Sequence, residues 1–271
     1  MKIKIACIQT ASGENFEHNL KESIRLAREA HQKGAQIIAF PETFLFRGRP
    51  LAYSQIVKKT EQVLHKFQHI ACMSRIPILL GSILEKSREA HRYFNTSLFI
   101  SDHGHIISRY RKIHLFDVKT PGKFKVKESR YFVPGKSVVT ADLWGIRFGF
   151  SICYDLRFPE QFRSLAKKSA EIIFVPSNFL YETGKAHWHV LLRARAIENQ
   201  AFVVAPAQVG VHPGLQCKTF GHSLIIDPWG KILAEGSGSK SEVVVAEINL
   251  DLVKKLRRDF PVLKSASSFS R

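Results

Sequence analysis

The chain has 271 residues, 45% of them hydrophobic and 24% charged, and its formal net charge is +18 at pH 7. This composition suits one large globular domain or two modest ones, and no Pro-, Gly- or Ser-rich linker divides the sequence. We therefore predict a single domain over residues 1–271, with a helix and tail from about residue 250. No apolar stretch resembles a membrane span or a signal peptide, so we predict no membrane partner.

The excess of basic residues suggests nucleic-acid binding as an alternative function. Lys and Arg cluster between Arg109 and Lys136 and again over residues 254–258, but they also spread along the rest of the chain. The sequence has no zinc-finger, helix-turn-helix or RNP-type pattern, so we predict no nucleic-acid partner.

The cysteines have neither the C-x-x-C spacing of a redox motif nor a metal-binding pattern. Buried, reduced thiols are the default state in such a chain, and they are typical of the cytosol. We therefore predict a cytoplasmic protein without a metal centre. The four cysteines are Cys7, Cys72, Cys153 and Cys217.

Strand-like apolar runs alternate with amphipathic helical segments along the chain, and this pattern alone indicates an α/β or α+β fold. The segment 115–137 is much longer than a usual connector, which predicts a functional lid or wall. The predicted strands cover residues 3–9, 36–40, 77–83, 93–100, 106–109, 144–150, 171–176, 201–207, 219–226, 231–235 and 242–248, and the predicted helices cover 15–33, 54–75 and 184–200 and begin at Pro159 and Leu250.

Cys153 lies between a predicted strand and a predicted helix. The run 144–150 alternates apolar residues with small or basic ones, as a half-buried strand does, and Pro159 is typical of a first helical turn. A thiol at such a turn is presented sharply, like the serine of a hydrolase elbow, and a helix N-terminus favours the thiolate. Cys153 is therefore a candidate nucleophile, and a buried structural cysteine is the alternative.

Two further segments carry a candidate base and a candidate cation. Glu42 lies just beyond the carboxyl end of an apolar strand, and in open α/β sheets the functional sites lie at the carboxyl ends of the strands. Lys112 lies in a basic segment after a predicted hairpin. The free pKa values of a thiol and a carboxylate differ by about 4 units, so proton transfer between them costs roughly 6 kcal/mol. Burial raises a carboxylate's pKa, and a nearby ammonium group lowers a thiol's. A Lys beside the pair would therefore favour the thiolate, and its charge could also support the oxyanion that forms when sulfur attacks a carbonyl.

These three motifs, in this order, resemble the nitrilase superfamily of carbon–nitrogen hydrolases. The resemblance extends over nearly the whole chain, from Ile5 to Val262. It implies a four-layer α-β-β-α sandwich, a homodimer or higher homo-oligomer, and an amidase that uses no cofactor.

The resemblance also implies a mechanism. Cys153 attacks the amide carbon while Glu42 acts as general base, and Lys112 and the backbone N–H of Tyr154 stabilise the oxyanion. Ammonia leaves, and water activated by Glu42 hydrolyses the thioester to a carboxylic acid. Glu128 is the implied second carboxylate and positions Lys112 or the substrate amide. The implied substrate-binding residues are Tyr154, Asn178, Phe179 and His187.

Within the family, the segments 110–122, 186–198 and 221–230 resemble the branch that cleaves small ω-amides, including deaminated glutathione and α-ketoglutaramate. Basic residues near the predicted centre favour acidic amides, because an Arg–carboxylate contact is among the stronger polar interactions. These basic residues are Arg109, Arg111 and Arg157.

The sequence departs from this branch at two places. Lys185 stands where the branch usually has Pro, and the tail 263–268 lacks the branch's usual ending.

Three alternatives remain at this point. His114 could serve as the base of a Cys–His hydrolase, with Asp155 or Asp117 as its orienting carboxylate. His187 and His189 suggest a metal site, but their i, i+2 spacing places them on different faces of a helix, so we do not predict a shared ion. A catalytically silent binding protein is the third alternative.

Overall fold

The computed structural model describes residues 1–119, 125–213 and 216–266. The Pro121-Gly122 part of the ω-amide motif and the last residues of the atypical tail lie outside these ranges. Within them, strands and helices alternate as predicted, and no helix is long and apolar enough to cross a membrane. The strands are β1 (Lys2–Gln9), β2 (Ile37–Ala39), β3 (Ile78–Lys86), β4 (Tyr93–Ile100), β5 (Ile106–Arg111), β6 (Asp117–Lys119), β7 (Lys125–Lys127), β8 (Thr140–Leu143), β9 (Ile146–Phe150), β10 (Ile172–Phe174), β11 (Phe202–Ala205), β12 (Val209–His212), β13 (Cys217–Phe220), β14 (Leu224–Ile226), β15 (Ile232–Glu235) and β16 (Glu242–Asn249).

The helices have local sequence signals at their ends. The side chain of Asn15 caps the first helix by accepting from the His18 N–H, and Arg75 ends the third in a left-handed conformation. Pro159 is the first residue of the fourth, as predicted. The α-helices are α1 (Phe16–Gln32), α2 (Tyr53–Ile56), α3 (Thr60–Ser74), α4 (Pro159–Lys167), α5 (Tyr181–Asn199), α6 (Asp251–Asp259) and α7 (Val262–Ala266).

The first sheet has six strands in the order β16-β1-β2-β3-β4-β5. β1, β2 and β3 are parallel, and β4 is antiparallel to β3. Because β5 is antiparallel to β4 in turn, it runs in the same direction as β2. The carboxyl ends of β2 and β5 therefore lie at the same edge of the sheet.

The second sheet also has six strands, in the order β15-β14-β11-β10-β9-β8. Its three central strands, β9, β10 and β11, are parallel, and the outer strands pair antiparallel. Two small two-stranded sheets, β6-β7 and β12-β13, accompany the main ones.

The two main sheets pack face to face, and the alternation of side chains along β1 shows how. Ile5 and Cys7 belong to the core between the sheets, whereas Ala6 and Ile8 belong to the core beneath the outer helices. Phe99 of β4 reaches across the interface, and its ring centroid lies 5.0 to 5.8 Å from three phenylalanine rings of the second sheet. A shared apolar core of this kind is what joins two sheets into a sandwich.

Helices cover the two outer faces. α1 and α3 contribute to the core on the first sheet, and α4 and α5 contribute to the core of the second. On α5, Trp188 and Leu192 lie four residues apart on one face of the helix, and both are fully buried. The four layers are therefore helix, sheet, sheet and helix, and the predicted α-β-β-α sandwich is confirmed.

Several predicted elements differ from the structure. The strand expected over 219–226 is two strands, β13 and β14, which belong to different sheets. The helix expected over 54–75 is broken into α2, a 3₁₀ turn and α3. Packing of Tyr53 against the rings of Phe46, Tyr93 and Phe132 fixes the short α2 separately, so tertiary contacts override the continuous helical pattern. The segment 115–137, expected as a loop, contains the hairpin β6-β7 and a 3₁₀ turn over Glu128–Arg130.

Candidate active site

Three strand ends supply the central side chains. Glu42 follows β2, Lys112 follows β5 directly, and Cys153 follows β9. The first two come from the same edge of the first sheet, and Cys153 comes from the facing strand end of the second. The sandwich therefore brings together residues that are far apart in sequence.

Lys112 lies between two carboxylates. Its Nζ is 2.9 Å from Oε1 of Glu42 and 3.0 Å from Oε2 of Glu128. Only 1% of Lys112 and 3% of Glu42 is exposed, so this ionic contact lies almost entirely out of water. The structure thus places Glu128 in contact with Lys112, one of the two partners that the family resemblance implied for it.

Both oxygens of Glu42 are held by neutral donors as well. The Asn95 side-chain amide donates to Oε1 at 2.9 Å, and the Asn178 backbone N–H donates to Oε2 at 2.9 Å. Asn95 lies on β4 and was not recognised from the sequence, where a single Asn within an apolar strand gives no distinct signal. These contacts fix the orientation of the carboxylate beside the thiol.

Cys153 has a strained backbone. Its φ is +48°, in the left-handed region that non-glycine residues seldom adopt, and its N–H donates to Pro176 O at 2.9 Å. It begins a 3₁₀ turn, Cys153–Arg157, which precedes α4. The thiol is thus presented at a sharp strand-to-helix turn, as expected, although the residue begins a 3₁₀ turn rather than the α-helix itself.

The predicted lowering of the thiol pKa is wrong in direction. Burial, and then the negative charge of Glu42, raise the pKa of Cys153 well above its usual value, and Lys112 opposes them only in part. The sulfur also hydrogen-bonds Glu42. Cys153 is therefore a neutral thiol at rest, with a carboxylate in position to receive its proton.

The two neighbouring charges respond to the same burial. Burial disfavours the ammonium of Lys112, but Glu128 and Glu42 outweigh it and raise the pKa of Lys112 well above its usual value. Burial raises the pKa of Glu128, and Glu42 adds to this effect while Lys112 opposes it. Lys112 is therefore a permanent cation within the site.

His114 lies outside this cluster. Its ring Nδ1 is 2.8 Å from Oδ1 of Asp155, and the ring stacks on Phe158 with a centroid distance of 3.6 Å. Asp155 is fully buried and also accepts from the Ile152 N–H at 2.8 Å. His114 is not among the described residues that line the cavity above Cys153. The His–Asp contact therefore supports the turn that carries the cysteine, and the geometry disfavours a Cys–His pair.

A cavity of about 480 Å³ opens above the thiol. All but one of the predicted site residues line this cavity. His187 does not; it is exposed on α5 and contacts Arg157 of the cavity wall at 3.1 Å. The predicted residues that line the cavity are Glu42, Lys112, Glu128, Cys153, Tyr154, Asn178 and Phe179.

The cavity also contains a buried cation that sequence reasoning missed. Arg47 is 1% exposed and donates to Gln208 Oε1 and Val209 O, but its Nε has no hydrogen-bond partner among the described residues. Burial lowers its pKa to about 10, so the group remains charged at neutral pH. The signal was present in the sequence, because a charged residue directly follows the apolar run 44–46 beside Glu42.

The three arginines expected near the site separate into two groups. Arg109 and Arg111 each pair with Glu85 at 2.7 Å and lie outside the described cavity lining. Arg157 lines the cavity, and its guanidinium lies 5.1 Å from the ring centroid of Phe179. The expectation thus holds for one of the three residues.

Comparison with known proteins shows the family. The family model described as carbon–nitrogen hydrolase matches residues 4–258. This chain belongs to the carbon–nitrogen hydrolase family. A deaminated glutathione amidase of Synechocystis sp. is 40% identical to this hydrolase over 264 residues, which is 96% of each chain.

Solved structures extend the comparison. The NitFhit protein of C. elegans superposes with a TM-score of 0.90 at 34% identity, covering 97% of the hydrolase and 64% of that longer chain. An amidase from Nesterenkonia sp. superposes with a TM-score of 0.79 at 25% identity over 96% of the hydrolase and 95% of that chain. The structure compared is a mutant of that amidase, in which the acetamide moiety of fluoroacetamide is covalently attached to the active-site cysteine.

Proposed function

We propose that this hydrolase cleaves small linear amides with remote carboxylates through a thioester at Cys153, and that deaminated glutathione is its substrate. The observation that carries the proposal is the buried cluster of Cys153, Glu42, Lys112 and Glu128 at the base of a cavity that also holds Arg47. The name of the Synechocystis relative supports the choice of substrate.

In the first half of the reaction, the sulfur of Cys153 attacks the amide carbon as Glu42 takes the thiol proton. The raised pKa of Cys153 makes a base necessary, because little thiolate exists at rest. The oxyanion accepts hydrogen bonds from Lys112 Nζ and from the Tyr154 N–H, which lies in the first turn of its 3₁₀ helix and lacks an intrahelical partner. Glu42 then protonates the amide nitrogen, the C–N bond breaks, and the amine leaves.

In the second half, water enters the position of the departed amine. Glu42 removes a proton from this water, which attacks the thioester carbon, and the same two donors stabilise the second oxyanion. The C–S bond breaks, the proton returns to sulfur, and the carboxylic acid is released. Glu128 contributes by holding Lys112 in place from the side opposite Glu42.

The leaving group depends on the substrate. Hydrolysis of deaminated glutathione at its ω-amide releases the amine of a dipeptide together with 2-oxoglutarate, whereas α-ketoglutaramate would release ammonia with the same acid. The ammonia expected from the sequence therefore applies only to primary amides. The cavity volume of about 480 Å³ is in the range of sites that enclose ligands larger than a simple primary amide.

Arg47 supports an acidic substrate. Arg47 has no ion pair with a carboxylate of the described residues; such a buried guanidinium is costly, and a substrate carboxylate would supply the partner. Arg130 and Arg157 also line the cavity, so a second carboxylate at the far end of the substrate has cations within reach. Deaminated glutathione carries a carboxylate at each end.

We also propose a homodimer and a cytoplasmic location. The exposed apolar side chains Val190 and Ile197 lie seven positions apart on one face of α5, and the rings of Trp229 and Phe260 contact each other at 6.4 Å. Ile197 adjoins Gly230, next to Trp229, so these residues form a surface suited to a second copy. A reactive thiol at Cys153 supports a reducing compartment.

The test is a substrate panel followed by 2-oxoglutarate and ammonia release. We expect the highest kcat/KM for deaminated glutathione, weaker action on α-ketoglutaramate and succinamate, and little on acetamide or benzonitrile. Arg47→Gln should lower kcat/KM for the acidic amides at least about tenfold and leave acetamide hydrolysis nearly unchanged. Arg109→Gln, outside the described lining, is the matched control. Equal rates on acidic and neutral amides would contradict the substrate proposal.

A further inference from the structure

A second group of titratable side chains lies outside the described lining of the cavity. His189 is on α5, His222 follows β13, and Glu235 ends β15. Nε2 of His189 is 2.9 Å and Nδ1 of His222 is 2.7 Å from the same oxygen, Oε1 of Glu235. The ligand atoms of the three residues all lie within 4.8 Å of one another. Amide hydrolysis uses none of them.

The spacing suits a tetrahedral metal ion. Zinc binds imidazole nitrogen and carboxylate oxygen at about 2.0 to 2.2 Å, so two ligand atoms at a tetrahedral angle lie about 3.3 Å apart. From separations of 2.7, 2.9 and at most 4.8 Å, the three atoms reach that geometry through shifts of at most roughly 1.5 Å. Rotation of the partly exposed His189 and Glu235 side chains supplies such shifts without backbone movement.

The backbone and ring of His222 are already fixed. Its carbonyl oxygen accepts from Trp188 Nε1 at 2.7 Å, and its N–H donates to Ser237 O at 3.3 Å. The ring packs on Phe220 with a centroid distance of 4.4 Å. A Cβ at Gly238 would lie 2.7 Å from His222 Nε2, so the glycine makes room for that edge of the ring while Nδ1 faces Glu235. One of the three ligands is therefore preorganised.

The cluster remains open to solvent. The side chains of His189, His222 and Glu235 are 33%, 30% and 35% exposed. An ion can reach them from water, and a water molecule can take a fourth position, as in three-ligand zinc sites with two imidazoles and a carboxylate. Imidazole nitrogen favours zinc-like transition metals over calcium or magnesium.

We propose that His189, His222 and Glu235 bind a divalent transition metal ion of the zinc class, which fastens α5 to the segment that follows β13 and to β15 of the second sheet. α5 begins at Tyr181, directly after the wall residues Phe179 and Leu180, so the ion stabilises the support of that wall. The pair considered from the sequence, His187 with His189, is not the site. His187 contacts Arg157 instead, whereas the proposed partners of His189 are His222, after β13, and Glu235, at the end of β15.

The experiment is a zinc titration of the metal-free, full-length protein against a chromophoric chelator, with cobalt(II) spectra as a second measurement. We expect one tight equivalent, and at least roughly tenfold weaker binding in His189→Gln and in Glu235→Gln. His187→Gln, on the same helix, is the matched control and should bind zinc like the wild type. Zinc should raise the melting temperature of the wild type and of the control, and not of the two variants.

The cobalt spectrum tests the site in the wild type alone, so the result does not depend on whether the variants fold. Visible bands without thiolate-to-cobalt charge transfer indicate nitrogen and oxygen ligands, as proposed. Charge-transfer bands would place the ion at a cysteine and overturn the proposal. Absence of zinc binding, or equal binding by all four proteins, would also overturn it and leave a hydrogen-bonded His–Glu–His group. None of these outcomes depends on amidase activity.

Discussion

At the scale of single residues, the site keeps its proton on sulfur and its positive charge on nitrogen. Burial and the Glu42 carboxylate raise the pKa of Cys153, while two carboxylates keep Lys112 protonated. A thiol in this state becomes nucleophilic only when a base removes its proton during the attack. The proposed mechanism therefore depends most strongly on the contact between Glu42 and the thiol.

The assignment of the base can be tested by a ranking of variants. Glu42→Gln and Lys112→Met should each lower kcat at least about 100-fold, because they remove the proton acceptor and the charge at the oxyanion. His114→Asn should retain activity within about tenfold, since this side chain supports Asp155 rather than the thiol. Steady-state kinetics on one amide provide the comparison, and the reverse ranking would favour a Cys–His mechanism.

Glu128 predicts a pH dependence. Its pKa is raised, so it gains a proton as the pH falls through a range above that of an ordinary glutamate. Protonation removes one of the two carboxylates that hold Lys112, and activity should decline there. In Glu128→Gln the plateau should be lower and this acid limb should move to lower pH. The exposed Glu160→Gln is the control, and an unchanged acid limb in Glu128→Gln would contradict the assignment.

Glu42, Lys112 and Cys153 were predicted from three local motifs in a recognisable order, and Glu128 was implied by the family resemblance that those motifs carry. Asn95 was not predicted, since a single Asn in an apolar strand gives no signal before the strands are assembled. Arg47 was missed although the sequence carries a signal, a charged residue directly after an apolar run. The direction of the thiol pKa was also missed. Local sequence indicates a helix N-terminus and a cation, but the burial that outweighs them is a property of the assembled sandwich.

At the scale of elements, a bulge in β3 supports the segment that carries Glu42. The pairing of β3 with β4 shifts register between Leu80 and Ile83. Within this bulge, Ser82 Oγ accepts from the Thr43 N–H at 2.9 Å, directly beside Glu42. A Cβ at Gly81 would lie 1.7 Å from Phe40 O, so only glycine allows β2 and β3 to approach this closely.

Gly81→Ala should therefore destabilise the fold and displace Glu42. We expect a loss of about 1 to 3 kcal/mol in the free energy of unfolding, together with lower kcat, because the clash is with backbone. Gly13→Ala is the matched control, since a Cβ there would meet nothing within 4 Å. Denaturant unfolding and kinetics measure both effects. If the two variants behave alike, the close approach does not determine the position of Glu42.

Apolar periodicity in the sequence predicted that most of the helices and strands exist, but it did not predict the residues at which they begin and end. The expected 54–75 helix is divided by the packing of Tyr53, a contact with residues distant in sequence. Likewise, α5 begins at Tyr181 rather than at Gly184. Gly184 lies inside the helix at a point where a Cβ would be only 2.4 Å from Phe220, so the close packing there requires glycine. Such close contacts depend on tertiary neighbours that a pattern along one chain does not contain.

At the scale of the whole molecule, Phe99 and its three partners join the sheets into one continuous core, which supports the prediction of a single domain. The basic surplus of +18 does not concentrate in the cavity, where Glu42 and Glu128 offset part of the positive charge. The dimer proposal rests on the exposed apolar side chains of Val190, Ile197, Trp229 and Phe260.

Light scattering tests the proposed dimer. At micromolar concentration we expect twice the chain mass of 30.8 kDa, and Ile197→Asp should shift the protein toward monomer by placing a charge in the apolar contact. Val211→Asp changes an equally apolar, 61% exposed residue on β12 and should remain dimeric. A wild type of 30.8 kDa throughout would contradict the dimer proposal.

The central claim is that Cys153 carries the acyl group during amide hydrolysis, and intact-mass spectrometry of the protein quenched during turnover of a slow ω-amide tests it most directly. We predict a transient mass increase equal to the acyl group, located by peptide mapping at Cys153, and neither adduct nor activity in a folded Cys153→Ala variant. An adduct at Cys7, Cys72 or Cys217, or full activity in Cys153→Ala, would contradict the claim.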